Sequence, residues 1–328
     1  MLTRRDFLTA SAGAGMACAL PPVALRAQTV SKPARLLVGF PAGGSIDAVA
    51  RLVVEHMKGY APSMIVDNRP GAGGRMALDA LKGSEPDGSV ALITPGDQLT
   101  LFPHIYSRLG YKPLEDFAPV STVCSVQFLL TIGPMIPKQV ETLADFIAWC
   151  RQNPKLATYG TAGAGTRPHF LGTALARAAN FELVHLPYKG NPPAIQDMLG
   201  NHVAANISTI GNTLPHVQSG ALRALATTAP SRSSALPNVP TFREAGYPAV
   251  EAVEWFGILV PARTPAAVVA ALHGSVGKAL ATPEVKAGLT KLSLEVTEST
   301  PAAFTELIKV DTQRSAEAVK ASGFKPLE

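Results

Sequence analysis

The chain has 328 residues, 47% hydrophobic and 16% charged, with a formal charge of +5, enough for about two domains with cores of their own. Basic residues never run five or six together and the aromatics are not interleaved with Lys or Arg, which argues against a nucleic-acid groove. The mild positive balance is compatible with an anionic ligand without pointing to one.

The first residues carry an export signal. Thr3-Arg4-Arg5-Asp6-Phe7-Leu8 is a twin-arginine pattern, followed by a small, moderately apolar stretch to about Leu20 and by Leu25-Arg26-Ala27, a cleavage site before Gln28. The apolar stretch is too short and too rich in Gly and Ala to anchor the chain in a bilayer. Residues 1–27 therefore read as a removable signal, by the twin-arginine or the Sec route. Cys18 follows Gly15-Met16-Ala17 without the Leu that precedes a lipidated cysteine, so it belongs to the discarded peptide. Cleavage removes Arg4, Arg5, Arg26 and Asp6 and leaves a formal charge of +3. No later segment has the length of a membrane span, so a soluble periplasmic protein is expected. Cys124 and Cys150 remain, and a disulfide or two buried thiols fit equally well.

Residues 32–40 read as an opening apolar strand, and from Ser45 the apolar positions Ile46, Val49, Val53 and Met57 follow helical spacing. A strand over 63–68, a helix over 76–82 and a strand over 90–94 follow. The pattern restarts after Pro119, with an apolar β-branched run over 120–132, a helix over 143–152 and a short strand over 157–160. A helix over 168–179 comes next, and segments 183–186, 193–199, 203–208 and 222–228 continue the alternation. Residues 230–240 are a Pro-rich surface connection, 255–260 return to strand character, and helices over 265–281, 283–289 and 301–322 finish the chain. Strand–helix alternation implies largely parallel sheets covered by helices. Two α/β lobes, with the tail returning to the first, are the simplest arrangement.

Two loops stand out. Phe40-Pro41-Ala42-Gly43-Gly44-Ser45-Ile46-Asp47 joins a strand to a helix that Ser45 can cap. Tyr159-Gly160-Thr161-Ala162-Gly163-Ala164-Gly165-Thr166 repeats the plan in the second half. Free N–H groups at a helix N-terminus attract anions. Either loop alone is also a plain tight turn; a pair on separate lobes could each hold one carboxylate. Nucleotide motifs fail, because Met76 and Pro168 stand where the third glycine of G-x-G-x-x-G belongs, and no P-loop occurs. Ser45 lies in Gly-Gly-Ser-Ile-Asp rather than a nucleophile elbow, and neither H-E-x-x-H nor C-x-x-C is present. His169 and His185, near the second loop, read as structural hydrogen-bonding residues. A Ser/His/Asp set assembled only in three dimensions stays open, but no enzyme signature, metal site or cofactor is indicated.

At these loops the chain resembles the Bug-type receptors, the periplasmic substrate-binding components of tripartite tricarboxylate transporters. The resemblance rests on Val38-Gly39-Phe40-Pro41-Ala42-Gly43-Gly44-Ser45 with Asp47, Asp67-Asn68-Arg69-Pro70-Gly71-Ala72-Gly73-Gly74, Pro86-Asp87-Gly88 and Asp116-Phe117-Ala118-Pro119-Val120. It continues through Gly163-Ala164-Gly165-Thr166 with His169, Pro187-Tyr188-Lys189-Gly190, Leu222-Arg223-Ala224-Leu225-Ala226 and Leu236-Pro237-Asn238-Val239-Pro240-Thr241. Glu244-Ala245-Gly246 and Trp255-Phe256-Gly257 complete it, in order, across essentially all of the chain after residue 27. It implies an α/β, two-lobed, type II periplasmic-binding-protein fold, each lobe a mixed sheet flanked by helices. Residues 28–126 with 251–328 would form lobe 1, and 127–250 lobe 2. It also implies a carboxylate held largely by backbone N–H groups and water, with lobe closure on binding.

The expected site follows. Ala42, Gly43, Ser45 and Asp47 form one jaw, with Asp47 ordering its own loop because a carboxylate facing an anion would repel it. Ala164, Gly165, Thr166 and Arg167 form the other, and Tyr188 and Thr209 are further candidates. Arg167 stands where relatives carry an uncharged residue; it either grips a distal carboxylate or is simply solvated. Ala204 and Ser208 replace acidic residues of many relatives, and the loop Thr94-Pro95-Gly96-Asp97-Gln98 also departs from the usual pattern. The expected partners are a small carboxylate and the transporter's membrane subunits, with no nucleic acid, and the protein is expected to be a monomer. A sensory adaptor for a membrane kinase and an exported small-ester or amide hydrolase are the alternatives.

Overall fold

The computed structural model describes residues 30–322 together with 324, 326 and 327; the export signal read in residues 1–27 lies outside them. Strand β1 (Ala34–Val38), helix α1 (Ser45–His56), β2 (Met64–Asn68), α2 (Arg75–Lys82) and β3 (Val90–Pro95) open the fold. β1 pairs in parallel with both β2 and β3, as helical crossovers between strands require. Three single helical turns, Asp97–Thr100, Phe102–Ile105 and Pro113–Asp116, lead into the 16-residue strand β4 (Phe117–Ile132).

The second half alternates α3 (Leu143–Gln152), β5 (Thr158–Thr161), α4 (Arg167–Ala178), β6 (Val184–Pro187), α5 (Asn191–Leu199), β7 (Ala205–Thr209), α6 (Ile210–Gln218) and β8 (Arg223–Thr227). α3 starts at a capping box, in which Thr142 accepts from the Asp145 N–H and Asp145 reaches back to the Thr142 N–H. Then β9 (Val253–Pro261), α7 (Ala266–Ala281), α8 (Pro283–Lys291), the short β10 (Glu295–Val296) and α9 (Pro301–Ser322) close the chain. α6, β10 and the three single turns are absent from the sequence expectation.

Among the described residues the strands run β2-β1-β3-β9-β4-β7-β5-β6, with β8 and β10 also paired to β4. β4 spans both lobes. Its Phe117–Gln127 part is antiparallel to β9, and its Phe128–Ile132 part is antiparallel to β7. The hydrophobic cores divide at the same place. On one face of the first sheet Leu36, Val38, Val53, Val123 and Val276 pack together, and on the other Leu37, Leu92, Leu259 and Phe304. Phe128, Leu130, Phe146, Leu171, Ile207 and Phe242 belong to a separate core. Strand residues that alternate between two covered faces explain why β1 and β3 are mostly apolar, with Arg35 of β1 the exposed exception. Cys124 lies in the first core and Cys150 in the second, both buried and unbonded.

The tail docks on the first lobe through Phe304 and Ile308. Phe304 lies so close to Gly257 on β9 that a Cβ there would come within 2.2 Å of its ring. Overpacking of this kind typically costs about 1–3 kcal/mol. Gly257→Ala is therefore expected to lower the unfolding free energy by an amount in that range, read as a lower urea midpoint with the m-value unchanged; an unaltered midpoint would mean that the tail is not held by this contact.

Candidate functional site

The first loop is built around Asp47. This residue is 3% exposed; its Oδ2 accepts from the Gly43 N–H at 2.9 Å and from Arg51 Nε at 3.0 Å, and its Oδ1 accepts from Asn68 Nδ2 at 2.9 Å. Burial raises its carboxyl pKa, but the Arg51, Gly43 and Asn68 donors outweigh this and hold it below the ordinary value. Gly43 sits at φ +85, in the left-handed region that glycine reaches without strain. Gly44, not Ser45, occupies the N-cap of α1. Ser45 is the first helical residue, and its hydroxyl is thereby free for other partners.

The second loop rests on two imidazoles. The Gly165 N–H donates to His169 Nδ1 at 3.0 Å, and Thr161 Oγ1 bonds His185 Nε2 at 2.7 Å. The two rings stack with centroids 3.8 Å apart. Thr166 donates to the Gly163 carbonyl at 2.8 Å and closes the turn before α4. Gly165 has φ +77, and a Cβ on it would come within 2.6 Å of Ile105 Cδ1, so this position needs glycine for both conformation and space.

The two loops face each other across a cleft, and each helix N-terminus is met from the opposite lobe. The Ser45 N–H donates to Asn212 Oδ1 at 2.8 Å. The Arg167 N–H, at the start of α4, donates to Asp97 Oδ2 at 2.9 Å. Thr209 Oγ1 donates to Ser45 Oγ at 2.9 Å while accepting from Asn212 Nδ2 at 2.7 Å. Tyr106 donates to the Ala164 carbonyl at 2.9 Å. Backbones also come close: a Cβ on Gly163 would lie 3.2 Å from Gly73 Cα, and one on Gly190 2.5 Å from Pro41 Cδ. The lobes are closed on one another.

Between them lies a cavity of about 50 Å³, room for a handful of water molecules. Its walls are largely apolar, including Phe40, Phe128 and Phe256; its polar lining includes Ser45, Thr166, Thr209, Asn212, Asp97 and Glu254. Asp97 and Glu254 are 3% and 5% exposed, and the Asp97 N–H donates to Glu254 Oε1. Burial pushes both carboxyls above their ordinary values. The Arg167 N–H and charge pull against this at Asp97, whereas the Asp97 charge drives Glu254 up further.

Of the residues singled out from sequence, Ser45, Thr166 and Thr209 line the cavity. Asp47 and Gly165 shape the loops behind it, Ala164 is held by Tyr106, and Ala42 and Gly43 are exposed at the cleft's edge. Tyr188 donates to Asp197 Oδ2 at 2.8 Å and does not line the cavity. The Arg167 side chain lines a neighbouring cavity of about 240 Å³ with Thr100, Trp255, Asp311 and Arg314; its backbone, not its guanidinium, meets the cleft. Asp97, Glu254 and Asn212 were missed. The departure at residues 94–98 was the one available signal for Asp97; Glu254 is hidden in a strand, and Asn212 in a helix that went unread.

The family model for the tripartite tricarboxylate transporter family receptor matches residues 49–324. Protein BugT of Bordetella pertussis is 32% identical over 301 residues, 90% of this chain and 90% of its own. The structure of the periplasmic binding protein BugD superposes with a TM-score of 0.86 at 30% identity, covering 91% of this chain and 100% of that one. The structure of R. palustris Rpa4515 with adipate gives a TM-score of 0.85 at 28% identity, covering 90% and 99%.

The imidazole pair makes the second loop sensitive to acid. Burial lowers His169 to about 4, and burial together with the His169 charge lowers His185 to about 3. The unfolded chain, with histidines near 6.5, binds more protons than the folded one between pH 6.5 and these values, so stability falls as pH falls through that window. The unfolding midpoint is expected to drop from pH 7 toward pH 4.5. His185→Gln should flatten that slope by about one proton's worth; a variant slope equal to the parent's would show that His185 titrates normally.

Proposed function

The chain belongs to the tripartite tricarboxylate transporter receptor family, and from that premise we propose that it is a periplasmic receptor which closes two lobes around a small carboxylated solute and presents it to the membrane subunits of such a transporter. The observation that carries this reading is the pair of opposed helix N-termini at Ser45 and Arg167, whose N–H groups point into one cleft between the lobes. N–H donors at a helix start suit a carboxylate, and the relative solved with adipate binds one. Among the described residues no helix is long and apolar enough to cross a membrane.

The proposed binding residues are Ala42, Gly43, Ser45 and Asp47 on one jaw and Ala164, Gly165, Thr166 and Arg167 on the other, with Tyr188 and Thr209 beside them. Asp47 acts by shaping its loop, and Arg167 acts through its backbone N–H, which holds Asp97 at the cavity. The proposed lobes are residues 28–126 with 251–328, and 127–250; the division of the cores near Val126 and Phe128 supports that boundary. Closure is a hinge motion about β4 and the return into β9, and ligand shifts the population toward the closed form. The receptor binds without transforming its solute, so no catalytic step is assigned to it.

Thermal-shift screening of the purified protein against mono-, di- and tricarboxylates tests the reading. A ligand at one hundred times its Kd should add about 2.7 kcal/mol of stability, seen as a raised midpoint; silence from folded, ligand-free protein across the panel would count against a carboxylate receptor. Gly163→Val places a branched side chain against the Gly73 backbone of the facing lobe. It should weaken binding of any hit by at least about ten-fold while the midpoint of the empty protein changes little. Unchanged affinity would mean that closure does not bring these loops together.

A further inference from the structure

The geometry points to Asp97 and Glu254 as a subsite for a cationic nitrogen, so that the solute is a carboxylate that also carries an ammonium group, an amino acid rather than a plain di- or tricarboxylate. This inference rests on the receptor reading above and narrows it.

Asp97 occupies the place that a second ligand carboxylate would take. Its Oδ2 already accepts the Arg167 N–H at the start of α4. Among the described residues its Oδ1 is buried and has no hydrogen-bond partner, although Asp97 lines the cavity and is 3% exposed. Glu254 stands beside it, bonded to its backbone N–H and lining the same cavity. Asn191 adds another acceptor to the cavity wall, an Oδ1 that is likewise buried and unpartnered. Among the described residues no Lys or Arg lines this space. The Arg167 guanidinium lies on the neighbouring cavity with Asp311 and Arg314.

A dianion entering here would meet hydroxyls, amides and the start of α1 on one side of its chemistry, and on the other two carboxyls whose one nearby cation, Arg167, lies outside the cavity lining, on the neighbouring cavity that Glu254 also borders. An orphaned carboxylate oxygen in a dry site wants a donor. An ammonium supplies donors and charge together, and the phenyl walls of Phe40, Phe128 and Phe256 are compatible with a cation beside them. The Ser45, Thr209 and Asn212 cluster remains for the single carboxylate.

The titration of the pair gives an independent readout. Burial raises both carboxyls, and the Asp97 charge raises Glu254 further; the other charged groups acting on the pair are Arg167, which opposes the rise at both, and Asp311, which adds to it at Glu254. An arriving ammonium favours the ionised form, so binding should release a proton. A plain carboxylate would favour the protonated form and release none.

The experiment pairs alanine, leucine, aspartate and 2-aminoadipate with propanoate, 4-methylpentanoate, succinate and adipate in calorimetric titrations of the purified protein, in two buffers of different ionisation enthalpy. At least one aminated member should bind about ten-fold or more tighter than its plain partner, with proton release. Glu254→Gln and Asp97→Asn should each weaken that ligand by a similar factor and leave plain acids unchanged or tighter. If plain acids bind as well as their aminated partners, or if binding takes up protons, the subsite is overturned and the carboxylate receptor stands. No binding across the whole panel takes down both. The proton measurement on the parent protein needs no variant and decides the matter even if Asp97→Asn fails to fold.

Discussion

The closed arrangement depends on the backbone N–H groups at the starts of α1 and α4. A helix start leaves donors that its own turns cannot satisfy, and here two such starts confront each other across a cleft. Each is satisfied from the opposite lobe, α1 by Asn212 and α4 by Asp97. Closure therefore exchanges bonds to water for bonds between lobes, and its free energy is a small difference between similar terms. This sets the balance that a bound solute can tip: a ligand that adds contacts to both lobes needs only modest differential affinity to shift the population.

Such an exchange works only if the loops approach closely and keep their shape. Close approach comes from glycine, where Gly163 faces Gly73 and Gly190 faces Pro41 with no room for a side chain. Shape comes from two different braces. The first loop is tied by the Asp47 carboxylate to Gly43, Arg51 and Asn68; the second hangs on the neutral His169 and His185 stack. A charged brace suits a loop whose arginine partner lies at the surface. In the buried second loop, neutral imidazoles avoid placing a fixed charge beside the cleft. The two main cores divide at β4, between Val126 and Phe128, and the apolar contact that crosses between the lobes is peripheral, Phe170 of α4 packing on Leu101, Phe102 and Ile105.

Much of this was legible in the sequence. Strand–helix alternation, the two glycine loops and the tail's return follow from periodicity and turn chemistry, and family resemblance carried the two-lobed plan. What escaped has physical causes. α6 carries Gly211 and Pro215 inside it, residues that argue against a helix; tertiary packing of Ile210 and Leu214 overrides them. Ser45 resembles a cap by residue type, yet Gly44 holds the cap position, and the Ser45 hydroxyl instead meets Thr209 across the cleft. Arg167 drew attention by its charge, whereas its backbone N–H is what meets the cleft. Asp97 and Glu254 are 157 residues apart, and nothing in linear spacing predicts that a loop and a distant strand will bury two acids in contact.

That pair bears on how the cleft divides its labour. Backbone donors recognise a carboxylate wherever it comes from, so they fix the class of solute and say little about its identity. Identity must come from side chains, and a buried charge that the protein leaves incompletely paired is costly to keep. Folding alone gives no reason to keep Asp97 Oδ1 without a partner, since an amide at the same place could still accept the Arg167 N–H. A carboxyl retained at such a position makes sense if the missing partner arrives with the solute. Discrimination then follows from asymmetry. The wrong solute loses one contact and also leaves a buried carboxylate unmatched, and that penalty separates ligands more sharply than any added attraction.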